Sequence, residues 1–443
     1  MDLIEGKNSM AQNTGTAGSF RWYILTALAI SLGSAFMNIT CFAPLLLPIS
    51  EDMNISMASA TALMSSIYLA SAIAFIFFAG QLVDRMGVKR TMILGTALAG
   101  GSAVLVPLIA SSYAMIFALR MIQGGAMAIA FVCLAPALRA YFPKKEYGLS
   151  GGLMGGSMSL CAAITLLLTP HVFHAIGQWP LTVALFSIPS WIGILLMLFV
   201  PNSSNLSEEE IPEPVAGQEK IGYFQVFKYP ITWLGIGALF FAVWALRAIE
   251  SLAPTYLAAD APLGIGLGDI TAGYFTFGLT MAGLMGVIVG GLLLDRVAHG
   301  NYRLVMMAGL SIFAVFTFLI TVPVIYGSYL LLMICIILAG MGVPFVKACG
   351  GPFIINVYPP RLIGRISGLM TGLGSIGASG GIWLAGKLAD RTGRFSSAMI
   401  LLALVGAAGC ILSYFLKREL RVGNHSIAAT ASIDNPEEAP AAN

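Results

Sequence analysis

Charge is scarce in this sequence. Only 10% of its 443 residues are Asp, Glu, Lys or Arg, 58% are hydrophobic, and the mean hydropathy is +0.88. That balance excludes a soluble globular domain. Histidine occurs four times. The six cysteines (Cys41, Cys133, Cys161, Cys335, Cys349, Cys410) show no CxxC spacing and no neighbouring histidine cluster. They read as small core residues, so neither a metal site nor a disulfide framework is expected. Nucleotide loops and nucleophile constellations are also missing, which argues against an enzyme and against a bound cofactor. A net charge of +3 leaves no footprint for nucleic acid.

Long apolar runs are what the chain has in abundance. Twelve recur, at about 22–48, 58–83, 91–110, 113–138, 149–174, 178–200, 230–258, 269–294, 303–325, 328–357, 364–388 and 395–416. Each is long enough to cross roughly 30 Å of hydrocarbon at about 1.5 Å per helical residue. They are continuously apolar rather than alternating, which selects helices over a barrel. The first 21 residues are polar and the first run reaches full spanning length, so no cleavable signal peptide is expected. The fold class is an all-α membrane protein, embedded in a lipid bilayer and expected as a monomer.

The polar stretch 201–229, containing SSNLSEEEIPEPVAGQEK, reads as a cytoplasmic linker between two six-helix bundles at 22–200 and 230–416. Residues 1–21 form a cytoplasmic N-terminal segment, and 417–443 a cytoplasmic tail of disordered composition. Basic residues set this orientation. With the N-terminus inside, 17 of 23 lie on the cytoplasmic side, including Arg85, Lys89, Arg90, Arg139, Lys144, Lys145, Arg361, Arg365, Lys417 and Arg418. Lys387, Arg391 and Arg394 fall outside, and Arg120, Arg247 and Lys347 fall within spans.

The two halves repeat each other. Ala43-Pro44 and Ala253-Pro254 lie 210 positions apart, GQLVDR at 80–85 and GLLLDR at 291–296 are offset by 211, and GLM at 152–154 and 368–370 by 216. Nearly constant offsets in one order indicate pseudo-symmetric bundles, a common construction of transporters.

GQLVDRMGVKR at 80–90 resembles the GxLaDrxGrk signature between helices two and three of the major facilitator superfamily, through Gly80, Leu82, Asp84, Arg85, Gly87 and Lys89. RMIQGGAMA at 120–128 resembles that superfamily's fourth-helix RxxQGxgxa pattern, through Arg120, Gln123, Gly124 and Ala126. The resemblance covers residues 22–416. Physically, Gly80 allows close helix approach, Asp84 can accept hydrogen bonds at a neighbouring helix's N-terminus, and the basic residues stay at the anionic inner leaflet. Gly80, Asp84, Arg85 and Gly87 are thus expected to latch the halves, and the alternative is a topogenic charged turn. The second-half loop keeps Asp295 and Arg296 but has Ala298 where a glycine is expected. GKLADRTGR at 386–394 is closer still to the signature, yet topology places it outside.

Charges inside spans are costly, at least about 2.5–3.5 kcal/mol each, and usually face a wet cavity or a partner. Arg247 and Glu250 share a helix face at i,i+3 and can pair. Pro254, one turn beyond, is expected to soften that helix. The resemblance implies that the first helix of each half faces the central cavity and that Arg120 borders it, aiding substrate or proton coupling. The structural alternative for Arg120 is a tether to helix carbonyls. Lys347 either faces a crevice beside Gly340, Pro344 and Gly351 or snorkels toward the cytoplasm. Asn38 and Gln123 are expected as neutral contacts, and core packing outweighs a lining role for Tyr68, Trp244 and Tyr256. The glycines at 151/155 and 152/156 read as a close packing surface.

Three cations against Glu250 alone favour an anion, since arginine grips an oxyanion bidentately and lysine adds a point charge. Arg120, Arg247, Lys347, Gln123 and Asn38 are therefore the candidate substrate residues, and Glu250 is the candidate for proton coupling. The expected activity is secondary transport of a small organic anion, monocarboxylate-like or dicarboxylate-like, as proton symport or anion exchange. The alternatives are proton-coupled efflux of amphipathic compounds, disfavoured because the fifth helix lacks a glycine-proline phrase, and a transporter-like ligand receptor.

Overall fold

The computed structural model describes residues 2–143, 146–202, 223–358 and 362–416. Most of the expected linker 201–229 and all of the tail 417–443 lie outside the described residues, as do Lys144, Lys145, Arg361, Lys417 and Arg418 among the orienting cations.

Twelve long helices form among the described residues. In the first half these are α1 (Phe20–Thr40), α2 (Met57–Phe77), α3 (Ala79–Ile109), α4 (Tyr113–Tyr141), α5 (Tyr147–Ile176) and α6 (Trp179–Leu198). In the second they are α7 (Pro230–Ala258), α8 (Asp269–Val297), α9 (Tyr302–Leu319), α10 (Tyr329–Val357), α11 (Ile363–Thr392) and α12 (Ser396–Tyr414). Eleven are long and apolar enough to cross a membrane. The other, α11, spans 30 residues but carries eight glycines and four charged side chains, which dilute its apolarity.

Helix ends follow local chemistry. Ser56 caps α2, its hydroxyl accepting the Ser59 amide at 3.2 Å, while Gly177 and Gly393 end α5 and α11 in the left-handed conformation that glycine adopts at no steric cost. The first span departs from the expected 22–48. Helix α1 stops at Thr40, the chain turns through 41–45, and a short helix Leu46–Asp52 follows. Pro44 has no amide hydrogen and its ring collides with the preceding turn. Its repeat partner Pro254 sits inside an unbroken α7, so the softening expected beside Glu250 occurs in the other half instead.

Within the first half α1 packs on α5 and α6, and α4 on α2 and α3. Within the second α10 packs on α8 and α9, and α7 on α11 and α12. The halves meet along α2–α11 and α5–α8. Glycine makes the closest crossings possible: a Cβ on Gly124 would overlap the Ile67 carbonyl of α2, and one on Gly340 the Leu279 carbonyl of α8. Of the expected glycine surface on α5, a Cβ on Gly151 would stand 3.1 Å from Leu138 Cδ1 of α4 and one on Gly156 3.7 Å from Leu284 Cδ1 of α8, side-chain contacts rather than backbone crossings. Nothing among the described residues lies within 4 Å of a Cβ built on Gly152 or Gly155.

Candidate functional site

Residues 202 and 223 mark one end of the bundle, the linker end. A cavity of about 270 Å³ lies between the halves, near the lower bound of small-molecule sites, roughly 300–1,000 Å³. Its first-half wall is apolar and aromatic, with Phe36, Tyr68, Phe75, Met127 and Phe131. Its second-half wall carries Arg247, Lys347, Ser367, Thr371 and Ser375. Phe75, Ile354 and Ser367 stand within about a turn of the linker-end termini of α2, α10 and α11, so the chamber reaches from mid-bundle toward that end.

Arg247 and Lys347 meet at this chamber. Lys347 is solvent-exposed in the middle of α10 because its side chain faces the cavity, and among the described residues no hydrogen bond or ion pair engages its ammonium. Gly351 lines the chamber beside it, whereas Gly340 is given over to contact with α8. Arg247 donates from Nη1 to Glu250 Oε2 at 2.8 Å, each side chain being about a fifth exposed at 23% and 22%, and its guanidinium stands 5.5 Å from the Phe36 ring centroid. Glu250 lies behind the chamber in a recess of about 20 Å³ that Arg247, Tyr68, Ser251 and Thr280 also line. Arg247 thus separates a wide vestibule from a pocket with room for about one water.

Arg120, Gln123 and Asn38, expected on the substrate wall, are fully buried and line neither space. Ending α1 at Thr40 leaves carbonyls without helical partners, and Arg120 donates to them: Nη1 to Asn38 O at 3.3 Å and Nη2 to Ile39 O at 3.2 Å. Nε reaches Leu63 O on α2 at 3.3 Å, Nη1 also reaches Gln123 Oε1 at 2.7 Å, and the Phe42 ring centroid lies 3.9 Å from the guanidinium carbon. The cation therefore caps the C-terminus of α1, where the helix dipole favours positive charge. Asn38 in turn donates to Ser34 O at 2.9 Å and Ser190 Oγ at 2.8 Å, joining α1 to α6. Trp244 and Tyr256 are packing residues: Trp244 stacks on Phe241 and presses on Gly381, and Tyr256 is buried.

The signature loop adopts the backbone its sequence requires, with Gly87 at φ 76° inside α3. Asp84, Arg85, Asp295 and Arg296 are exposed, and among the described residues none makes a hydrogen bond or ion pair. Nothing described lies within 4 Å of a Cβ on Gly80, so close approach is not its role here. Where Ala298 replaces the expected glycine, the left-handed turn has moved to His299 and Gly300. The capping expected of Asp84 is performed instead by Asp390, in GKLADRTGR. Its two carboxylate oxygens accept the Met57 and Ala58 amides of α2, each at 3.0 Å. This contact lies at the end opposite the linker, as do the His174–Asp269 pair at 3.5 Å and the bond from Thr255 Oγ1 to Ala43 O at 3.3 Å. All three join one half to the other.

Tyr68, expected to favour core packing, lines both spaces, and two further features of the site do not follow from its charged residues. The hydroxyl stripe Ser367, Thr371 and Ser375 repeats at i,i+4,i+8, a spacing that is visible in α11. The aromatic wall from α1, α2 and α4 carries no such signal, because phenylalanine in an apolar span is ordinary.

The family model described as Major Facilitator Superfamily matches residues 28–378 and 266–433. A probable nitrate/nitrite transporter of Mycobacterium tuberculosis is 24% identical over 385 residues, covering 85% of this chain and 91% of the relative. A probable sulfoacetate transporter of Cupriavidus necator is 24% identical over 405 residues, covering 87% and 90%. Among solved structures, a D-xylose-proton symporter superposes with a TM-score of 0.71 at 12% identity, covering 90% of this chain and 98% of that one; at that identity the likeness is one of fold.

Proposed function

The chain belongs to the major facilitator superfamily, and from that premise we propose that it is a secondary transporter of a small organic anion, working by alternating access between two six-helix domains, 22–200 and 230–416. One arrangement carries the reading: Arg247 and Lys347, on two helices of one half, reach a single chamber between the halves, and among the described residues no acidic one lines that chamber. A cation kept at mid-bundle without a protein counter-ion is costly and is stabilised whenever an anion occupies the chamber. Relatives named for nitrate/nitrite and sulfoacetate support an anionic cargo.

In this reading the linker end faces the cytoplasm, on the side favoured by 17 of 23 basic residues, and the protein works as a monomer. Contacts across the halves at the opposite end, with Asp84 and Asp295 making no hydrogen bond or ion pair among the described residues at the linker end, suit a conformation closed outside. Glu250 is the coupling group. Its proton would release Arg247 toward the chamber, tying anion binding to protonation.

Uptake of a labelled carboxylate into proteoliposomes tests the function. The expected result is uptake driven by an inward proton gradient, which Glu250→Gln converts to gradient-independent exchange. Unaltered pH dependence in Glu250→Gln removes the coupling role, and no anion uptake or counterflow under any gradient removes the carrier reading.

A further inference from the structure

Resting on that reading, the chamber also carries information about which anion it takes. We propose that the cargo is a monoanion with an apolar body about the size of a six-membered ring, its charged end on Lys347 and Arg247 and its body against the aromatic wall of the first half.

The charge of the cargo follows from a count of the chamber's ionised groups. Arg247 is already bonded to Glu250 at 2.8 Å, so Lys347 is the one lining cation without a salt-bridge partner among the described residues. In the proposed coupling Glu250 takes up a proton as the cargo binds, which frees Arg247 from the pair it makes in the empty chamber. One proton entering with one negative charge leaves the summed charge of the site as it is when empty, whereas a second negative charge has no proton to accompany it.

The body of the cargo follows from the opposite wall. Phe36, Phe75, Phe131 and Met127 face the two cations across the cavity and offer a small oxyanion nothing but apolar surface. A cavity of about 150 Å³ suffices for benzene, whereas this one has about 270 Å³. The volume fits a ring together with its carboxylate, and a three-oxygen inorganic ion would leave most of it to water. Ser367, Thr371 and Ser375 run beside Lys347 along one face of α11. Thr371 and Ser375 now donate to carbonyls one turn earlier, at 2.8 and 3.0 Å, and rotation of these hydroxyls would supply donors to the carboxylate oxygens. Charge is thus confined to the second half and the aromatic rings to the first, while aliphatic lining such as Leu246, Val346 and Ile354 continues onto the second half, so a cargo with a charged end and an apolar body bridges the two domains that must move together.

The test is equilibrium binding and counterflow by the full-length protein in lipid, with acetate, nitrate, benzoate, cyclohexanecarboxylate, succinate and phthalate as probes. Benzoate and cyclohexanecarboxylate are expected to bind at least tenfold more tightly than acetate or nitrate, and phthalate at least tenfold more weakly than benzoate. Phe131→Ala is expected to remove most of the benzoate preference while acetate affinity stays within about twofold, and Phe131→Leu, which keeps an apolar side chain of somewhat smaller volume, to reduce that preference partially. Acetate, nitrate or succinate binding as tightly as benzoate, in a manner abolished by Lys347→Gln, overturns this inference and leaves the anion carrier standing. Absence of binding by every probe overturns both.

Discussion

Asp390, near the end of α11, accepts the backbone amides of Met57 and Ala58, each at 3.0 Å, so one carboxylate caps the first turn of a helix in the opposite half. The helix dipole and two unpaired amides favour an anion at this position. Because the contact crosses between halves, it exists only while this end of the bundle is closed. Asp390→Ala should remove roughly 1 kcal/mol of closure, the usual value of a lost cap, shifting the open-to-closed ratio about fivefold. Spin labels at Ser56 and Thr392 should then show a larger population of long distances by pulsed electron resonance. An unchanged distribution would mean that the cap does not hold this end shut.

Arg120 should behave as a stability residue. Its donors lie on Asn38, Ile39 and Leu63 carbonyls and on Gln123, and removing a buried charged donor strands several acceptors at about 1–3 kcal/mol each. Arg120→Gln should lower the thermal midpoint strongly, and Arg120→Lys should not restore it, since an ammonium cannot reproduce the planar fork. Anion affinity per folded molecule should remain. A normal midpoint with lost affinity would return Arg120 to the substrate wall.

Much of the fold was legible because apolar run length and the Ala-Pro offsets are local or periodic signals. The site was legible only in part. Arg247 and Lys347 announced themselves as charges in oil, and their convergence on a chamber is consistent with that cost. Arg120 carried the same signal, yet its partners arise where Pro44 ends α1, far away in sequence. Asp390 was visible as a repeat of the signature, but its partner, the start of α2, appears only once the halves are packed. Composition registers the expense of a buried charge and is silent on whether protein or ligand offsets it.

Glycine substitutions separate close crossings from ordinary surface. Gly124→Ala and Gly340→Ala place a methyl into the Ile67 and Leu279 carbonyls, and overpacking of this kind costs about 1–3 kcal/mol or more. Gly152→Ala, with nothing described within 4 Å, should be neutral. Melting of the three variants in detergent checks this. Equal midpoints would contradict the packing assigned to α2–α4 and α8–α10.

Lys347→Gln, assayed for equilibrium binding of a carboxylate to the full-length protein in lipid, tests the central claim most directly. A charge-assisted hydrogen bond contributes about 1.5–3 kcal/mol, so affinity should fall roughly tenfold to 150-fold at an unchanged thermal midpoint, with Lys347→Arg retaining most of it. Undiminished affinity in Lys347→Gln would contradict the account.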